Sequence, residues 1–114
     1  QRLLRRVGVS KAKELIYTGR MIDAQEALQI GLADHIYPDD QLQTEALAMA
    51  KKIAANAPVA VRYAKCAISE GAQADIDTAI TIENKWFSKC FATQDQKEGM
   101  QAFLEKRKAT FLNK

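Results

Sequence analysis

Apolar residues recur at three- and four-residue spacing along nearly the whole chain, and the polar residues between them carry the start and stop signals of helices. Leu3, Leu4 and Val7 alternate with Arg2, Arg5 and Arg6 in a short basic amphipathic turn closed by Gly8. Ser10 offers an N-cap for a stretch through Tyr17, and Gly19 can take the left-handed conformation that ends it. Asp23 and Glu26 have capping-box spacing ahead of Ala27, Leu28 and Ile30, with Gly31 as the stop. His35-Ile36-Tyr37 precedes Pro38, which pushes its predecessor out of the helical region, so these residues read as a brief extended segment. Asp39 and Asp40 supply N-cap and dipole-favourable charge for a long helix through Leu42, Leu47, Ile53 and Ala54, whose alanine-rich face suits close packing. Pro58 starts the next helix, with Gly71 as its end, and Asp75 caps another that runs toward Cys90 and Phe91. Thr93 pairs with Gln96 in box spacing and opens a last helix running through Phe103 into Glu105-Lys106-Arg107-Lys108. The pattern predicts a mainly α chain of five or six helices with at most one short extended segment.

Composition narrows what such a chain can do. With 114 residues and 47% hydrophobic content it can fill one modest core, a margin thin enough that a partner surface or a missing domain is expected to supply the rest. Gln1 in place of an initiator Met, with no signal-peptide pattern, reads as a piece of something longer. A net charge of +3 does not by itself call for nucleic acid, and no apolar run approaches the ~18 residues of a membrane span. Cys66 and Cys90 lack C-x-x-C spacing and His35 is the only histidine, which removes zinc and a disulfide framework from consideration and leaves little with which to build a nucleophile–base pair. Both cysteines fall among apolar helical residues and are expected to act as small buried hydrophobes. The paired carboxylates Asp39-Asp40 and Asp23 with Glu26 coincide with helix starts, where capping accounts for them. The five glycines mark helix ends and match no phosphate-cradling motif. More suggestive are Trp86, Phe87, Phe91, Phe103 and Phe111 interleaved with Lys85, Lys89, Lys106, Arg107 and Lys108. Such rings and cations could hold a nucleotide-like ligand, or form a helical core beside a solvated basic run.

Several separated blocks carry a family resemblance. The first pattern is R-L-x-R-x-x-G from Arg2 to Gly8, followed by A-x-E-x-x-x-T-G from Ala12 to Gly19 and A-x-E-A-x-x-x-G-L from Ala24 to Leu32. Further on come Ala57-Pro58 with Lys65, then Phe91 to Asp95 and Glu98 to Arg107. Together they resemble the enoyl-CoA hydratase (crotonase) family after its active-site segment, Leu4 standing where a proline is often found. The resemblance implies the C-terminal helical half of a crotonase-like β/α spiral, in which residues 1–37 are the tail of the core and residues 38–114 a helical oligomerisation and CoA-lid region. It implies a parent enzyme that reversibly hydrates short-chain 2-enoyl-CoA to 3-hydroxyacyl-CoA with no prosthetic group. The catalytic glutamates and oxyanion donors would lie upstream of Gln1, leaving no catalytic residue and no metal ligand here. Two cofactor-binding positions match the family: Phe87, to cover the adenine of acyl-CoA, and Lys106, to meet its ribose 3′-phosphate. Also implied are a homotrimer or a hexamer made of two trimers, no membrane association, and a cytoplasmic location, or the mitochondrial matrix in a eukaryote. The alternatives are an isomerase or decarboxylase of the same superfamily, or a non-enzymatic helical module. Such a module could bind RNA through Arg2, Arg5, Arg6 and the terminal lysines, with a steep salt dependence.

Overall fold

The computed structural model describes all 114 residues and contains seven helices and no strand. In order they are α1 (Arg2–Val7), α2 (Val9–Thr18), α3 (Ala24–Gln29), α4 (Asp39–Ala54), α5 (Pro58–Gly71), α6 (Ile76–Cys90) and α7 (Gln94–Leu104). The chain divides into two compact units, Gln1–Leu47 and Ala48–Lys114.

In the first unit, α1 and α2 are separated by Gly8 alone, at φ 80° and ψ 159°. This backbone bend lets α2 restart at once. The Gly8 carbonyl accepts the Ala12 N–H at 3.1 Å, so Ser10, expected to cap, sits inside the first turn. Gly19 ends α2 in the left-handed region, its N–H donating to the Leu15 carbonyl at 3.0 Å. Asp23 caps α3 by accepting the Glu26 N–H at 2.7 Å. The end of α3 is a Schellman turn: the Gly31 N–H donates to Leu28 and the Leu32 N–H to Ala27, with Gly31 at φ 73°. Between α2 and α3, the Arg20 guanidinium bridges Glu14 and Glu26 and holds both carboxyls below their ordinary range, Lys11 being the larger influence on Glu14. Residues 35–37 stay outside the helices and join no strand, because a ladder needs a second extended stretch and the chain supplies none. The Pro38 carbonyl accepts the Gln41 and Leu42 N–H groups, so Asp39 and Asp40 occupy the first turn of α4, where their charge meets the positive end of the helix dipole, rather than the cap.

In the second unit, α5 and α6 form an antiparallel helical hairpin. Tyr63 stacks near Trp86 toward one end, and Gly71 lies against Ala79 at the other. Pro58 occupies the first turn of α5, where its missing N–H costs nothing. Gly71 belongs to α5 and serves as a contact point: a Cβ there would stand 3.5 Å from the Ala79 Cβ. Asp75 caps α6 by accepting both the N–H and the hydroxyl of Thr78, which hold its carboxyl below the usual range. Thr93 caps α7, its hydroxyl oxygen accepting the Gln96 N–H at 3.1 Å.

The last helix ends at Leu104 and does not continue into residues 105–108. A second Schellman turn stops it, with the Lys106 N–H donating to Phe103 and the Arg107 N–H to Ala102. The chain then folds back along α7 as a hook. Asp95, only 3% exposed, accepts the Leu112 and Asn113 N–H groups at 2.7 and 2.9 Å. The Lys114 main-chain oxygen accepts from Gln94 and Asp95, and the Phe111 ring covers Gly99. Apolar burial is otherwise slight, with Ala12, Val59 and Ala102 the only buried hydrophobic residues.

Candidate functional site

Between α5 and α6 lies a groove of about 480 Å³. Alanines at 60, 64 and 67, spaced to fall on one face of α5, leave the space, and Tyr63, Ile68, Trp86, Phe87 and Cys90 complete an almost wholly apolar lining. Glu83 is the one carboxylate in it. The indole N–H of Trp86 donates to Glu70 at 3.0 Å, which fixes the ring. The Lys89 and Lys85 ammoniums stand 4.3 and 4.9 Å from its centroid, within cation–π range. Phe87 is 62% exposed and meets Phe91 edge to face at 5.3 Å, so the two rings brace each other while presenting apolar surface outward.

The hook after α7 carries the other candidate. Arg107 grips Glu98 with a fork of two bonds, Nη1 to Oε1 at 2.6 Å and Nη2 to Oε2 at 2.9 Å, while its Nε donates to Glu105 at 2.6 Å. Glu98 also accepts the Thr110 N–H at 2.8 Å. Arg107 first, then this amide, pull the Glu98 carboxyl down to about 2. Lys106 sits at the apex of the turn with φ 54°, exposed, and its ammonium makes no hydrogen bond or ion pair within the chain. It is not among the groove-lining residues, so the chain does not bring Lys106 and Phe87 into one pocket.

The remaining sequence candidates acquire no chemical partner. His35 is exposed and stacks only on Tyr37, with ring centroids 6.1 Å apart. Cys66 and Cys90 are free and half-buried, and the Cys90 thiol donates to the Trp86 carbonyl. No three His, Cys, Asp or Glu side chains gather as a metal site would require. The sequence reading passed over Tyr63, Glu70, Asp95 and the Glu98–Arg107 pair. A nine-residue separation across a reversing turn matches no helical neighbour rule, and a buried Asp in a first helical turn looks the same in sequence as a solvated one.

A family model described as "Enoyl-CoA hydratase/isomerase" matches residues 1–114. The chain belongs to the enoyl-CoA hydratase/isomerase family. It is 51% identical over 114 residues to the crotonyl-CoA hydratase of Syntrophomonas wolfei, covering 100% of this chain and 44% of that protein. The short-chain-enoyl-CoA hydratase of Clostridium acetobutylicum is 51% identical over 108 residues, 95% of this chain and 41% of that protein. Among solved structures, an enoyl-CoA hydratase from Bacillus anthracis superposes with a TM-score of 0.96 at 47% identity, covering 100% of this chain and 44% of the other. The helical architecture is therefore that of crotonase-fold proteins, and the chain spans less than half the length of these relatives.

Proposed function

We propose that this chain is the assembly and CoA-facing helical part of an enoyl-CoA hydratase, which adds water across the 2,3-double bond of a short-chain 2-enoyl-CoA and releases 3-hydroxyacyl-CoA. The observation that carries the reading is the end-to-end similarity to relatives named as hydratases. In it, residues 1–37 are the tail of the core and residues 38–114 the oligomer-forming lid. Phe87 covers the adenine and Lys106 meets the ribose 3′-phosphate of acyl-CoA held by an adjoining subunit of a trimer or hexamer. The exposed Phe87–Phe91 pair and the partnerless Lys106 ammonium support these roles. The parent enzyme works in the cytoplasm or matrix; no helix of this chain is long and apolar enough to cross a membrane.

Hydration needs two carboxylates at the reacting carbons and N–H donors aimed at the thioester oxygen. Here Glu83 stands without a second carboxylate in the groove, while Glu14, Glu26, Glu98 and Glu105 are engaged by arginine and Asp23, Asp75 and Asp95 by backbone N–H groups. In this reading the catalytic groups come from outside these residues. The isolated 114-residue chain is expected to leave crotonyl-CoA unhydrated in an ultraviolet assay, and hydration above background would overturn this assignment. In the intact protein, Lys106→Ala is expected to raise KM for crotonyl-CoA more than it lowers kcat, since the phosphate is remote from the reacting bond. A loss confined to kcat would contradict the phosphate role.

A further inference from the structure

Two helices of this chain end in the same bonding pattern with different residues at the left-handed position. After α3 it is Gly31, at φ 73°, and after α7 it is Lys106, at φ 54°. Glycine is the residue such a turn ordinarily takes, because a Cβ crowds the neighbouring carbonyl there. The turn after α7 therefore does not need its lysine, and something else must hold the lysine in place. The residues on either side supply the restraint. Arg107, the next residue, is locked by its two-pronged bond to Glu98 and its third bond to Glu105. Farther along, Thr110 is tied to Glu98, and Leu112 and Asn113 to the buried Asp95. Glu98 thus takes three of these bonds from one half-buried position on α7. Lys106 itself is bonded to nothing through its side chain, so the clamp fixes its backbone and leaves its ammonium free.

We propose that Glu98 is a positioning residue that, through Arg107, holds Lys106 left-handed and its ammonium presented to a phosphate monoester. This rests on the reading that Lys106 meets the 3′-phosphate of acyl-CoA, and adds the device that aims it. The bidentate geometry assigns the task to this pair, since a lysine at 107 would keep the charge but lose the planar fork.

The test compares the intact hydratase and its variants on crotonyl-CoA and on crotonyl-pantetheine, which has the same reacting bond and no phosphate. Lys106→Gly keeps the turn and removes the ammonium, and Glu98→Gln removes the charge that grips Arg107. Each is expected to raise KM for crotonyl-CoA about tenfold while leaving kcat and the crotonyl-pantetheine KM within about twofold, as for loss of one charge-assisted bond. Arg107→Lys should fall between wild type and Glu98→Gln, and the Glu98→Gln/Lys106→Gly double variant should be no worse than Lys106→Gly alone. A rise with Lys106→Gly but not with Glu98→Gln overturns the clamp and keeps the phosphate contact. No rise with Lys106→Gly overturns both. Equal losses on the two thioesters, or additive losses in the double variant, assign Glu98 a general structural role and overturn the proposal.

Discussion

Lys106 holds a left-handed backbone at φ 54°. Its left-handed backbone is disfavoured for a residue with a side chain by about 1–2 kcal/mol, less what glycine loses in unfolded-state entropy. Lys106→Gly should therefore stabilise the fold by about 1 kcal/mol in urea denaturation, with the midpoint moved and the slope unchanged. Gly99 is the opposite case. It lies mid-helix in α7 in open contact with Phe111, whose Cε1 would be 3.6 Å from an added Cβ, so nothing has to shift. Gly99→Ala should gain about 0.5–1 kcal/mol from helix propensity alone, and a loss on the same measurement would mean the ring sits closer than this contact allows.

Among the helices, caps were the legible feature. Asp23, Asp75 and Thr93 each accept the N–H three residues on, as side-chain type and spacing predicted, because a cap is decided within one turn. Thr93 also donates its hydroxyl to the Cys90 carbonyl at 2.7 Å, joining the end of α6 to the start of α7. Thr93→Ala should cost about 1 kcal/mol in the same denaturation experiment. Gly71, read as a helix end, is the last residue of α5, whereas Gly99, read the same way, lies inside α7, since small size at a contact and freedom at a terminus leave the same letter in the sequence. The hook was not legible at all. Its bonds join α7 to residues nine to twenty positions away, and only the folded backbone shows that the helix stops at Leu104. Phe87 and Lys106 were singled out only through family resemblance, because an aromatic stripe at helical spacing reads first as core and a terminal basic run first as solvated surface. The hook also carries a pH signature. The Glu98 carboxyl lies near 2 when folded against an ordinary 4.5, so its contribution is whole above about pH 4.5 and is lost as pH falls toward 2. Protection of the Thr110 amide, whose N–H Glu98 accepts, should fall over that interval relative to an unstructured amide at the same pH, and Glu98→Gln should remove that pH-dependent loss.

The whole chain exposes 9131 Å². Ile68 and Ile76, 71% and 72% exposed, lie with Ile80 in a second apolar depression along α5 and α6. Surface of this kind is normally covered. The isolated chain should accordingly self-associate with rising concentration in sedimentation velocity, and Ile68→Glu should shift it toward monomer without loss of helical circular dichroism. Trp86 offers a simpler handle on the neighbouring groove. It is the only tryptophan, its N–H is pinned to Glu70, and Lys85 and Lys89 stand close to its ring. Indole emission responds to nearby charge and to water, so whatever settles between α5 and α6 will register as a change in intrinsic fluorescence, and occupancy can be titrated without attaching a dye.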